Sequence, residues 1–375
     1  MVKCHGQSDM TYFNNAYFQK KVFVTGDTGF KGSWLSLWLL DLGAEVAGFS
    51  DSVPTSPSNF ELLNLQNNIK HYEGDIRNKE KLADAIDDFK PDVVFHLAAQ
   101  AIVSESFDNP RVTFETNIMG MVNLLECIRE RSWIEAAILI TSDKAYRNDE
   151  WCWGYRETDV LGGHDPYSGS KSCADLVAQS YFNSFFQDST TRIAITRAGN
   201  VIGGGDWAAN RIVPDCIRAW TSGKIVNVRN PNATRPWQHV LEPLSGYLWL
   251  GSNLLKNTHG INGEAFNFGP DADVNQTVAE LLDAMTSEWS EARWSSSLAN
   301  RSQVHEATLL KLSYDKALFL LDWKAVLEFP ETVDYTVSWY KTFHDMSENL
   351  NTFSLNQIKE YSELAKKRGL LWAQN

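Results

Sequence analysis

The run Lys21-Val22-Phe23-Val24-Thr25, followed at once by Gly26-Asp27-Thr28-Gly29-Phe30-Lys31-Gly32, constrains this chain more than any other stretch. The first five residues predict a buried strand, and the apolar segment that continues through Leu42 predicts a helix. Glycine at 26, 29 and 32 is what a tight strand-to-helix turn needs when backbone amides approach a pyrophosphate and the helix packs close to the sheet. The spacing is G-x-x-G-x-x-G and departs from the commonest dinucleotide fingerprint, but strand, turn and helix follow in the right order. A glycine turn without a ligand is the competing reading, and that order disfavours it. Gly26, Thr28, Gly29, Phe30, Lys31 and Gly32 are therefore expected to bind a dinucleotide.

The rest of the first half repeats the alternation. A second strand at 45–49 should end beside an adenosine ribose, where Ser50 or Asp51 can accept from the 2′-hydroxyl. No Lys or Arg occurs between Lys31 and Lys70, so this segment offers no partner for a 2′-phosphate and favours NAD over NADP. Runs at 69–73, before Gly74-Asp75-Ile76, and at 92–96, before Leu97-Ala98-Ala99-Gln100, predict third and fourth strands with cofactor-facing ends. Fifth and sixth strands are expected at 136–140 and 192–196, with helices at 78–88, 111–131, 166–186 and 209–222. Such alternation predicts an α/β fold, a Rossmann-type doubly wound parallel sheet with its site at the carboxyl ends of the strands. A smaller C-terminal α/β domain is expected beside it. The division reads as a nucleotide domain at 1–198, to which 238–266 returns, a substrate domain at 199–237 and 267–350, and a charged helical extension at 351–375.

Thr141-Ser142-Asp143-Lys144 follows the fifth strand and arrives at that same edge. Tyr167 and Lys171 stand four residues apart on a helix and so share a face. A phenol with a pKa of about 10 is a poor base at neutral pH, and a fixed cation beside it favours the phenolate. Tyr-x-x-x-Lys alone is a weak signal, since a half-exposed helical pair matches it equally well.

Composition removes several classes of function. The net charge of −13, without a long basic run, argues against binding nucleic acid or an anionic membrane. The cysteines Cys4, Cys127, Cys152, Cys173 and Cys216 lie far apart with no C-x-x-C pair, which suggests reduced thiols, no metal and a cytoplasmic setting. Residues 1–20 contain no apolar signal region, and no run approaches the roughly 20 apolar residues of a membrane span.

After 192–196 the chain turns to a glycine-rich loop, Arg197-Ala198-Gly199-Asn200-Val201-Ile202-Gly203-Gly204-Gly205-Asp206-Trp207, and then gathers Arg229, Arg235 and His239 among Pro and Asn. Any one of these arginines is more often a solvated surface residue, but as a group they make a clamp for a diphosphate.

With the glycine turn, Thr141-Ser142-Asp143-Lys144, Gly162-Gly163-His164-Asp165-Pro166-Tyr167-Ser168, the 197–207 loop and Arg235-Pro236-Trp237-Gln238-His239 in order, the chain resembles the extended short-chain dehydrogenase/reductase family, among its nucleotide-sugar 4,6-dehydratases. The resemblance covers residues 20–345. It implies that Tyr167 deprotonates a sugar 4-hydroxyl while hydride leaves C4 for a tightly bound NAD regenerated each turnover. Lys171 would hold the tyrosinate, Ser142 would hydrogen-bond O4, and Asp143 would protonate the departing C6 oxygen. It further implies cofactor contacts at Asp75, Ile76, Leu97, Ala98, Ala99 and Asn117. Substrate contacts would come from Gln100, Asn200, Arg211, Arg235 and His239. Helices at 111–131 and 166–186 would pair across a two-fold axis, giving a homodimer or a dimer of dimers. The implied setting is deoxysugar biosynthesis for surface polysaccharide.

Two positions depart from most of the family. Relatives acting on dTDP- or GDP-sugars carry Glu as the C5 base where this chain has Lys144, whereas those acting on CDP-glucose carry Lys. Either a depressed pKa makes Lys144 a base, or it stabilises the enolate while another group takes the proton. After Gln100 the family mostly reads Pro-Leu-Val-Arg, and this chain reads Ala101-Ile102-Val103-Ser104. Three rival readings stand: a dehydratase for another nucleotide hexose, a nucleotide-sugar 4-epimerase with small residues in place of Asp143-Lys144, and an NAD-sensing regulator with no use for an acidified phenol.

Overall fold

The computed structural model describes residues 12–228, 230–296 and 309–374, so Cys4 and Arg229 lie outside the described residues. Seven strands form one parallel sheet: β1 (Lys21–Thr25), β2 (Glu45–Ser50), β3 (Lys70–Glu73), β4 (Val93–His96), β5 (Ala136–Ile140), β6 (Arg192–Arg197) and β7 (Ala265–Asn267). Their order is β7-β6-β5-β4-β1-β2-β3, so the order in which strands are added reverses between β1 and β4. That reversal places a crevice at the carboxyl ends of β1 and β4, where Thr25 pairs with His96. The central strands β1, β4 and β5 are mostly apolar because both faces are covered, whereas the edge strand β3, Lys70-His71-Tyr72-Glu73, is polar and partly exposed. Val22, Val24 and Phe95 point into one core, and Phe23 and Val94 into the other.

Helices α1 (Phe30–Asp41), α2 (Lys79–Phe89), α3 (Gly120–Arg129), α4 (Pro166–Tyr181), α5 (Ile212–Thr221), α6 (Leu241–Leu255), α7 (Phe329–Asp345) and α8 (Leu350–Lys367) supply that cover. The single helix expected at 111–131 is broken. Val103–Asp108 and Pro110–Phe114 are separate short helices, and a π-helical turn at Glu115–Met119 precedes α3. A proline at the first position of the second piece explains the break before it. Short pairs lie beyond the sheet: Val201–Ile202 with Gln238–His239, and Thr234–Arg235 with Gln276–Thr277.

The last residues form a buried anchor. Trp372 is fully buried, stacked on Phe13 at 4.9 Å and on Tyr361 at 5.7 Å, with its edge toward Trp38 of α1. The C-terminal extension thus packs behind the helix that follows the glycine turn. Among the described residues, no helix is long and apolar enough to cross a membrane.

Candidate active site

The glycine turn is built as a cradle. Gly26 adopts φ +76°, and a Cβ there would stand 2.7 Å from the Ala98 nitrogen; a Cβ on Gly32 would stand 2.0 Å from the Gly26 carbonyl. α1 begins at Gly29 without a side-chain cap and without an acidic residue in its first turn. The amides of Phe30, Lys31 and Gly32 are therefore left to an anion, which fits the pyrophosphate of a dinucleotide.

Asp27 was not among the expected site residues, yet its fully buried carboxylate organises this cradle. It accepts from the Ser50 hydroxyl at 2.6 Å and contacts His71 Nδ1 at 2.7 Å, which raises the His71 pKa. Ser50, expected at the ribose, thus has its hydroxyl proton engaged internally, while Asp51 is exposed. Thr28 donates its hydroxyl to the Ser52 carbonyl at 2.7 Å and closes the turn on β2. Asp75 is held by Arg77, whose Nε lies 2.9 Å from Oδ2, and Ile76 is buried against Gly120.

Asn117 acts as a strut. Its carbonyl oxygen accepts from the Gln100 amide at 2.8 Å, and its nitrogen donates to the Gln100 carbonyl at 3.1 Å and to Ser170 Oγ at 2.8 Å. The segment Leu97-Ala98-Ala99-Gln100 is thereby fixed against α4. The Gln100 side-chain nitrogen donates to the Ile102 carbonyl and to Thr113, so it orders the segment that follows β4.

The chemical residues converge beyond β5. Ser142 caps the short turn Asp143–Ala145, accepting from the Lys144 amide at 3.2 Å, and its hydroxyl donates to Asp143 Oδ1 at 3.0 Å. Asp143 is 4% exposed and lies against Gly199, where a Cβ would stand 1.8 Å from its carboxylate. Lys144 is half-buried. Tyr167 and Lys171 are both buried on α4.

In the folded chain burial raises the Tyr167 pKa; the Ser142 hydroxyl and Arg211 pull it down, while Asp143 and Asp165 push it up. Burial lowers Lys171 to about 8, with Lys31 adding to the effect. Arg211, one cation that acts on the phenol, stands at the N-terminus of α5, where it pairs with Asp206 at 2.9 Å.

The remaining substrate candidates divide. Asn200 sits in the left-handed region at φ 49°, and its carbonyl accepts from the Gln238 amide. Arg235 is half-buried and donates to the Thr234 carbonyl. His239 was expected among the diphosphate contacts. It is fully buried between Trp34 and Tyr335, and burial depresses its pKa to about 3, so it is a neutral ring. His96, missed in the sequence, is likewise neutral, with Nδ1 2.7 Å from Thr25 Oγ1, and Thr25 in turn accepts from the Ala98 amide. Only its place at the end of β4 signalled it.

The model of the GDP-mannose 4,6 dehydratase family matches residues 23–336. A CDP-glucose 4,6-dehydratase of Salmonella typhimurium is 46% identical over 354 residues, covering 92% of this chain and 97% of that protein. A CDP-paratose 2-epimerase of Salmonella typhi is 29% identical over 70% of this chain and 82% of its own. Among solved structures, an epimerase of Methanothermobacter thermautotrophicus superposes with a TM-score of 0.77 at 24% identity, covering 89% of this chain and 96% of that one. The dTDP-glucose 4,6-dehydratase DesIV of Streptomyces venezuelae, solved with NAD, gives 0.71 at 24% identity over 88% and 99%. These two likenesses bear on the fold alone. By the family match and the relative that is nearly half identical along almost its whole length, the chain belongs to the GDP-mannose 4,6-dehydratase family of extended short-chain dehydrogenases/reductases.

Proposed function

We propose that the protein is a hydro-lyase that converts CDP-D-glucose to CDP-4-dehydro-6-deoxy-D-glucose and water, using NAD that stays bound through each turnover. The observation that carries this reading is the placement of Ser142 and Asp143, 3.0 Å apart, beside Tyr167 at the carboxyl end of β5. A hydroxyl, an acid and a phenol together are what oxidation at C4 and elimination across C5 and C6 require. The CDP-sugar specificity is supported by the 46% identical relative.

Residues Gly26 to Gly32, Ser50, Asp51 and Leu97 to Ala99 would hold NAD, which when bound supplies a reversible hydride acceptor and a positive charge. Tyr167 takes the proton of the 4-hydroxyl, and Ser142 orients O4. The C4 ketone so formed makes the C5 proton acidic. Asp143 then delivers a proton to the departing C6 oxygen, and water leaves. Lys144, on the same turn, accepts the C5 proton or stabilises the enolate. Return of the hydride to C6 leaves no net oxidation. Arg211, Arg235 and Asn200 take the diphosphate.

The protein works in the cytoplasm, in deoxysugar biosynthesis for surface polysaccharide such as O-antigen, as a homodimer or a dimer of dimers. Support for the dimer comes from Phe107, Val112, Phe114, Met119 and Leu176, all exposed along the 103–119 segment and α4. The functional test is a panel of CDP-, dTDP-, UDP- and GDP-hexoses with the purified protein. Formation of a 4-keto-6-deoxy sugar from CDP-glucose alone is expected, and formation of CDP-galactose would instead make it a 4-epimerase.

A further inference from the structure

Gln238 is a buried side chain that the reaction above leaves without a task. It is 2% exposed and begins the short strand that pairs with Val201–Ile202. Its side-chain nitrogen donates to the Gly199 carbonyl at 2.8 Å and to the Phe268 carbonyl at 3.2 Å. Two carbonyls can be met only by an NH2 group, so these contacts fix which end of the amide is the oxygen. That oxygen, Oε1, is buried and has no partner among the described residues. A buried carbonyl without a donor is costly, so this one calls for a donor from outside the chain.

Gln238 and Asp143 line one small cavity, and Gly199, Pro236, Pro270 and Leu312 are among its other walls. Its volume is about 10 Å³, close to the room that one water-sized group needs. On the Asp143 side the two carboxylate oxygens differ. Oδ1 accepts from Ser142 at 3.0 Å, whereas Oδ2 lies against Gly199, where a Cβ would stand 1.8 Å from it. The carbonyl of that same Gly199 is held by Gln238. An acidic oxygen and an unengaged acceptor thus border a space that fits one hydroxyl, and the proline and leucine walls offer it no hydrogen bond.

We infer that Gln238 binds the 6-hydroxyl of the sugar, its Oε1 accepting from that hydroxyl while the C6 oxygen turns a lone pair to Asp143. The inference rests on the acid role of Asp143 in the reaction proposed above. In the elimination the C5 proton goes to the base, and the electrons of the C5–H bond form the C5–C6 double bond. The C6–O bond breaks with its electron pair left on oxygen, and the proton from Asp143 completes a water molecule. The oxygen keeps its own hydrogen on Gln238 throughout, so the water is held as it forms. The methyl group of the product has no donor, so the contact is made with substrate and lost with product.

The test uses the full chain loaded with NADH, which accepts no hydride, so that sugars bind without reacting. Calorimetry gives the Kd of CDP-glucose and of CDP-6-deoxyglucose, which carries a methyl group in place of the 6-hydroxyl. Wild-type protein should favour CDP-glucose about tenfold. Gln238→Met, of similar length and without the acceptor, should abolish that preference, and Gln238→Leu should do the same if the first impairs folding. Both variants also lose the ties to Gly199 and Phe268, but that loss bears equally on the two sugars and cancels in the ratio. A preference that survives in the variants, or its absence in the wild type, overturns the inference and leaves Gln238 as a strut between two loops. Failure of the wild type to bind either sugar is a different result, which removes the CDP-glucose reading and this inference with it.

Discussion

Asp175 and Arg197 form a buried two-point ion pair, with Nε 2.7 Å from Oδ2 and Nη2 2.8 Å from Oδ1, and side chains 0% and 1% exposed. Asp175 lies on α4, two turns beyond Tyr167, and Arg197 ends β6. The Thr141 hydroxyl also donates to Asp175, at 3.1 Å, and Arg197 donates to the Tyr146 hydroxyl at 2.7 Å. One ion pair therefore ties both ends of the Ser142-Asp143 turn to the helix that carries Tyr167 and Lys171. Removing one partner strands a buried charge, at a cost of about 3–5 kcal/mol. Asp175→Asn should lower the urea midpoint accordingly and reduce turnover; an unchanged midpoint would mean that the pair does not hold the site.

Gly199 leaves room for the acid. Because a Cβ there would meet the Asp143 carboxylate at 1.8 Å, Gly199→Ala should displace it. Asp143→Asn removes the proton donor itself, and general acid catalysis is worth roughly 10²–10⁴-fold. Both variants should slow elimination by a factor in that range while sparing C4 oxidation, read as dinucleotide reduction in a single turnover. Equal loss of the two steps would take Asp143 out of the acid role.

Glu242 makes stability depend on pH. It is 1% exposed, accepts from the Val326 and Leu327 amides and from Tyr361, and burial pushes its pKa up to about 7. The folded pKa is above the unfolded value of about 4.3. The stabilising contribution is therefore complete below that value and is lost as pH rises through about 7. Urea midpoints of wild type and Glu242→Gln at about pH 5 and about pH 8 should show the wild type losing ground relative to the variant at the higher pH. Parallel behaviour would show that the carboxyl does not titrate in this window.

Trp372 should matter far more than its place near the chain end indicates. Trp372→Ala empties the stack between Phe13 and Tyr361 and should cost about 3–5 kcal/mol in chemical denaturation. It should also weaken dinucleotide binding, since Trp38 of α1 rests on the same stack.

What the sequence revealed is local. β1, the glycine turn and α1 were legible because strand, turn and helix are consecutive, and the Thr141–Lys171 stretch because its residues lie close in the chain. Contacts between distant residues were not legible. The tie from Asp27 to His71 spans 44 positions, and Glu242 meets Tyr361 across 119. Neither partner has a composition that announces the other. The charged helical extension expected at 351–375 carried no sign of its packing, and its apolar face and Trp372 complete the core. Arg211, brought in from the start of α5, also acts on the Tyr167 phenol, and its distance along the chain hid that contribution.

The central claim is that one site oxidises C4, eliminates water across C5 and C6, and returns the same hydride to C6. CDP-glucose labelled with deuterium at C4 tests it most directly, with the product examined by NMR and mass spectrometry. The account predicts a 4-keto-6-deoxy product with the deuterium in its C6 methyl group. Deuterium retained at C4 of an epimerised hexose, with no water lost, would contradict it.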